Sequence, residues 1–191
     1  VFAEKNDYKQ QLKLSLLPVE FVIENHVLNT SFTVANEDKI VLILKDVTNE
    51  QRLTQEVRNE RQRLELIVAA VSESRLFYRL IRDFKVFYQH ELPASLASVS
   101  SVSQVIQDVF RAIHTFKGLF AQYAFLNLPG KLHQIESELV NIRDLAAKAD
   151  IHNVRQLFDG VDFESLLARD LEPVFESLGD DFLDKHSLIP I

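Results

Sequence analysis

The sequence predicts a mainly α protein: an antiparallel four-helix bundle preceded by a small β-meander and a connector helix. Three observations lead there. From about residue 73 onward, apolar residues recur at threes and fours in separate stretches joined by short connections, as antiparallel helices require. Residues 49–72 carry a charged segment with apolar positions at threes, fours and sevens. Residues 1–48 alternate apolar and polar side chains instead, the two-residue period of strands. The expected divisions are therefore 1–48, 49–72 and 73–191.

Within the first division, Asp7 to Leu17 has a short helix-like opening that runs into Pro18. Val19 to Val34 then alternates, with Phe21, Ile23, Phe32 and Val34 as apolar positions. After the turn signal Asn36-Glu37-Asp38-Lys39, the continuous run Ile40-Val41-Leu42-Ile43-Leu44 predicts a buried strand. This β-region is too small to close a core of its own, so it either packs on the rest of the chain or lacks a first half. Thr48 or Asn49 is placed to cap the connector helix, and Glu50 suits its dipole. Leu53, Val57, Leu64, Ile67 and Val71 make the apolar seam, while Arg52, Glu56, Arg58, Glu60, Arg61 and Arg63 fill the other faces.

The bundle helices follow in order. Leu76, Phe77, Leu80, Ile81, Phe84, Phe87 and Tyr88 form the first stripe, which Pro93 is expected to stop. A serine-rich linker (Ser95, Ser98, Ser100, Ser101, Ser103) leads to the second stripe, Val105, Ile106, Val109, Phe110, Ile113, Phe116, Phe120 and Tyr123. Asn127-Leu128-Pro129 starts the third, with Leu132, Ile135, Leu139, Ile142 and Leu145 inward. Asp162 caps the fourth, which carries Phe163, Leu166, Leu167 and Leu171; Pro173 kinks or restarts it, and Gly179 closes it.

Composition removes several functions. With 47% hydrophobic and 26% charged residues the balance is that of a soluble globular chain. No apolar run approaches the roughly 18 residues of a membrane span, so no membrane contact is expected. The opening Val1-Phe2-Ala3-Glu4-Lys5 lacks the order of a signal peptide, and the expectation is an internal piece of a longer cytoplasmic protein. Cysteine is absent, which excludes disulfides, thiol chemistry and cysteine-based metal sites. Net charge is −7, and Asp150 to Ile191 holds ten acidic residues against three basic ones. Such a surface repels nucleic-acid phosphates, so no nucleic-acid partner is expected. No Gly-rich phosphate loop or Ser-His-Asp set stands out, and His26, His90, His152 and His186 have no metal-ligand spacing. No metal and no cofactor is expected.

His114 is the residue that carries chemistry. On its helix it shares a face with Gln107, Arg111, Gly118 and Gln122, opposite the core stripe, so it is reachable by another protein. Gly118 costs its helix about 1 kcal/mol relative to Ala. The missing side chain leaves room for a second molecule beside the imidazole. Lys117 can place an ammonium near an anion attached to that ring.

His114-Thr115-Phe116-Lys117-Gly118 resembles the His-x-x-Lys-Gly signature of histidine phosphotransfer (Hpt) domains. Leu132-His133-Gln134-Ile135-Glu136 is similar to the second block of the chemotaxis-type branch of histidine kinases. His133 and Glu136 follow His114 by nineteen and twenty-two residues, the separation of that branch. The resemblance covers roughly residues 73–180 and implies that His114 accepts a phosphoryl group. It further implies that His133 and Glu136 join a hydrogen-bonded network with the ring. Leu119, Phe120 and Ala124 depart from the pattern, which has small residues after the Gly and a Gly ten residues after the His. Asp46-Val47-Thr48 followed by a charged helix resembles the end of a PAS-type sensor feeding a signalling helix.

The implied partners are a histidine-kinase catalytic domain and a response-regulator receiver domain, with Mg²⁺ held by the partner. The module would be a phosphotransfer intermediate and not an enzyme itself. Two other readings compete. The dimerisation and phosphoacceptor helices of a conventional sensor kinase normally carry an acidic residue straight after the His, where Thr115 stands. A helical interaction module without phosphorylation has no use for the set His114, Lys117, Gly118 and Glu136.

Overall fold

The structure is a computed structural model that describes residues 16, 18–36, 39–98, 101–144, 150–179 and 181–182. The chain is mainly helical, with one small three-stranded antiparallel sheet near its N-terminus. It divides into two compact units, Val1–Asn59 and Glu60–Ile191. The expected opening helix at Asp7 to Leu17 falls outside the described residues, Leu16 apart.

The first unit holds β1 (Glu20–Ile23), β2 (His26–Asn36) and β3 (Lys39–Asp46) in the order β1-β2-β3. A two-residue turn at Glu24-Asn25, with Glu24 at φ 53°, separates β1 from β2. The register from Leu28↔Asp46 to Val34↔Ile40 pairs β2 with β3. The expectation of a buried strand at Ile40 to Leu44 is corrected: all five residues are exposed. The apolar run makes the strand, but among the described residues the three-stranded sheet has no opposing layer to bury it.

Helix α1 (Thr48–Ser72) begins on a different cap from the expected Thr48 or Asn49. Asp46 accepts hydrogen bonds from the Thr48 backbone N–H at 3.0 Å and hydroxyl at 2.6 Å. The Thr48 hydroxyl oxygen in turn accepts the Val27 N–H at 2.8 Å, which ties the helix start to β2.

In the second unit, α2 (Ser74–Val86) passes through one π-helical turn, Phe87–Glu91, into α3 (Leu92–Ala97). Pro93 therefore does not stop the first stripe. Leu92 donates to the Phe87 carbonyl five residues back, and this wider turn accommodates a ring that would otherwise meet the Gln89 carbonyl. Ser95 is helical, and Ser101 caps α4 (Val102–Gln122) by accepting from the Gln104 N–H, so the serine linker is shorter than expected. Helix α5 (Leu128–Asp144) follows; Leu145 falls outside the described residues.

The short α6 (Ile151–Gln156), capped by Asp150, is an addition to the expected elements. Arg155 ties it to the end of α3 by donating to the Leu96 carbonyl at 2.7 Å. Helix α7 (Phe163–Leu178) starts at Asp162 and ends at Gly179, φ 88°, as the sequence predicts, and runs through Pro173 without restarting.

Aromatic side chains fill the core of this unit. Phe84 meets Phe116, Phe120 and Phe163 edge-on with ring centroids 4.9–5.5 Å apart, and Phe77 stacks on Phe125. Among them lies Asp170 of α7, buried at 3% exposure. Its carboxylate accepts from the backbone N–H of Leu126, Asn127 and Leu128 and from the Asn127 amide. It therefore satisfies the first amides of α5 and sits at the positive end of that helix's dipole.

Helix α4 ends in a Schellman turn: Phe125 N–H donates to the Phe120 carbonyl and Ala124 N–H to that of Ala121. The turn puts Ala124 at φ 61°, a conformation that favours glycine. Its methyl group packs against the core, which offsets part of the strain. Ala124→Gly is expected to raise stability by up to about 1 kcal/mol, read as a higher denaturant midpoint. A lower midpoint would show that the methyl contact outweighs the strain.

Candidate functional site

The candidate site lies where α4 and α5 pack side by side. The α4 stripe Val105, Ile106, Val109, Ile113 and Phe120 is buried, and Gln107, Arg111, His114, Gly118 and Gln122 are exposed on the other side. Helix α5 turns Leu132, Ile135 and Leu139 inward and, among them, Glu136. The pairings Phe110 with Arg143 and His114 with Glu136 run in opposite senses, so the two helices are antiparallel.

Glu136 is the hub. It is 8% exposed, and His114 Nδ1 stands 2.5 Å from its Oε1. Lys117, a turn further along α4, donates to Oε2. His133, three residues before Glu136 on α5, places Nδ1 3.5 Å from the same oxygen, too long for an ordinary hydrogen bond. His133 thus stands beside the same carboxylate that holds the His114 ring. The Lys117 ammonium pairs with Glu136 in this arrangement. Beside Gly118, a Cβ atom would meet nothing within 4 Å, so that side of the His114 face is open.

Burial alone pushes the Glu136 carboxyl up. The hydrogen bonds from Lys117 and His114, with the charge of Lys117 and the neighbouring His133, outweigh it and bring the pKa down to about 2. At neutral pH Glu136 is therefore a carboxylate, which only accepts hydrogen bonds. Nδ1 of His114 must carry the proton, and in the neutral ring the lone pair is left on Nε2. The side chain is 62% exposed, so a nucleophilic nitrogen is held in a fixed tautomer on an accessible surface.

Three contributors escape a reading of the sequence. Phe110, counted there as core, stacks on the His114 ring at 5.9 Å between centroids and 14° between planes. The Arg143 guanidinium covers the Phe110 ring at 5.9 Å. Asp170 fixes the start of the helix that carries Glu136. A carboxylate on the apolar stripe of α7, between Leu167 and Leu171, is the signal that marks it.

Among the described residues, no group of His, Cys, Asp and Glu is arranged to hold a metal ion, and no helix is long and apolar enough to cross a membrane. Compared with known protein families, curated proteins and solved structures, the chain matches none.

Because its pKa is depressed in the fold, ionised Glu136 contributes stability that is complete above about 4.5 and lost as pH falls through about 2. The chain is expected to exceed its Glu136→Gln variant by about 2 kcal/mol at pH 7. Denaturant midpoints should show this margin narrowing below pH 4.5. A margin that does not change with pH would remove the ionised carboxylate as its source.

Proposed function

We propose that residues 73–191 are a histidine phosphotransfer module, an antiparallel four-helix bundle that relays a phosphoryl group through His114. The observation that carries this reading is the exposed His114 ring, oriented through Nδ1 by the buried Glu136 carboxylate. The donor is the catalytic domain of a histidine kinase, and the acceptor is an aspartate of a receiver domain. Residues 1–48 are then the end of a PAS-like sensor region and residues 49–72 its connector, in a cytoplasmic protein. The module is an intermediate in the relay and not an enzyme by itself.

The chemistry follows from the tautomer. The Nε2 lone pair attacks the γ-phosphorus of ATP held by the kinase domain; the N–P bond forms as the bond to the ADP oxygen breaks. Positive charge grows on the imidazole, and the Glu136 carboxylate across the Nδ1–H bond stabilises it. In the second half-reaction a receiver carboxylate oxygen takes the phosphoryl group, the N–P bond breaks, and the lone pair returns to Nε2. The docked partner supplies the remaining charge stabilisation, with its Mg²⁺. The open surface beside Gly118 leaves room for that approach.

Incubation with a chemotaxis-type kinase catalytic domain and labelled ATP tests the reading, with His114→Gln as control. The expected label is acid-labile, base-stable and absent from the variant. A folded sample that takes no label from several competent donors would leave a helical interaction module instead.

A further inference from the structure

One hydrogen bond does not orient a flat ring. The Glu136 carboxylate, 2.5 Å from Nδ1, fixes which nitrogen of His114 carries the proton. It leaves the ring free to turn about that bond, on a side chain that is largely exposed. In a five-membered ring the Nε2 lone pair does not lie on the line of the Nδ1–H bond. Turning about the bond therefore sweeps the lone pair round a cone. Phosphoryl transfer is roughly in line with the leaving oxygen, so only part of that sweep is productive. Reacting groups need to be held within roughly 10–20° of that geometry, which requires a second constraint on the ring plane.

Phe110 stands where such a constraint is needed. It precedes His114 by one turn of α4, and the two ring planes are 14° from parallel with centroids 5.9 Å apart. A wall of this kind works only if it is itself held. Phe110 is half-buried and packs against the core. From α5, the Arg143 guanidinium lies over its ring, 5.9 Å from the centroid. Arg143 in turn donates from Nε to Asp144 at 3.2 Å. Arg143 follows Glu136 by two helical turns on α5, and Phe110 precedes His114 by one on α4. The pairs Phe110 with Arg143 and His114 with Glu136 are thus neighbouring contacts along one helix–helix seam.

We infer that Phe110 is a positioning residue for phosphoryl transfer at His114: its ring sets the plane of the imidazole, and Arg143 holds that ring in place. Glu136 selects the nitrogen that attacks, and Phe110 selects the direction in which it points. The two roles are separable, because stacking on a hydrocarbon face does not distinguish one ring nitrogen from the other. Phe110 stacks on the imidazole directly and Arg143 acts through Phe110, so losing the aromatic ring has the larger effect. The inference rests on the transfer through His114 proposed above.

Two measurements on the full chain test it, in Phe110→Leu, Phe110→Tyr and Arg143→Gln variants. NMR relaxation of the His114 ring carbons reads ring order, and ring-nitrogen shifts read the tautomer. Labelling by a chemotaxis-type kinase catalytic domain with ATP gives kcat and the KM for the chain. Phe110→Leu keeps an apolar side chain but loses the flat face. It should retain helical circular dichroism and the Nδ1-protonated tautomer, lose ring order, and lower kcat about tenfold with KM little changed. Phe110→Tyr should keep both ring order and rate, and Arg143→Gln should show a smaller loss of each. Ring order unchanged in Phe110→Leu would overturn the inference. So would a Phe110→Tyr variant as slow as Phe110→Leu, or a loss carried wholly by KM, which would make Phe110 a docking contact. An unaltered chain that takes no label would overturn the transfer reading itself, a result distinct from label that Phe110→Leu accepts at the unaltered rate.

Discussion

Glu136 holds a charge in a place where charge is costly. Taking an isolated carboxylate out of water costs several kcal/mol, and only close partners offset it. Here the partners are Nδ1 of His114 and the ammonium of Lys117, both on the neighbouring helix. One buried group therefore fixes three things together: the register of α4 against α5, the protonated nitrogen of His114, and the position of Lys117. Removing the carboxylate would leave a rotating imidazole and an ammonium with no counter-charge. The rest of the unit can be understood as what keeps Glu136 where those two donors reach it.

Much of that support lies where α4 turns into α5. The Schellman turn after α4 and the short connection to Leu128 bring the chain straight back, so His114 and Glu136 face each other. Asp170 holds the first amides of α5 from the opposite helix, a second buried carboxylate, satisfied by four donors. Phe84, Phe116 and Phe120 pack the inward side of α4, which leaves its outward side to His114 and Gly118. Phe110 closes one flank of the imidazole, and Arg143 covers the Phe110 ring. The other flank, beside Gly118, stays open.

Helix periodicity makes much of this legible in the sequence. Spacing alone puts His114, Gly118 and Gln122 on one exposed face and the Phe-rich stripe on the other, because side-chain direction in a helix is fixed by geometry. Contact between helices is another matter. Nothing in the spacing of α5 shows that Glu136 reaches Nδ1; only the resemblance to a family points there. Phe110 stays hidden because an aromatic at the edge of a stripe reads as core whether it packs inward or on a neighbouring ring. Pro93 misleads because a wider helical turn absorbs the clash that normally ends a helix. Ile40 to Leu44 mislead because strand pattern records pairing, whereas burial needs a second layer.

Everything chemical at this site rests on which nitrogen of His114 carries the proton. The ring-nitrogen NMR spectrum of His114, assigned by its loss in His114→Gln, measures that directly in the folded chain. With the ring neutral, the geometry predicts Nδ1 protonated and hydrogen-bonded, with Nε2 bare, and loss of that preference in Glu136→Ala. A protonated Nε2 with a bare Nδ1 in the unaltered chain would contradict it, because the nitrogen exposed to a partner would then have no lone pair to give.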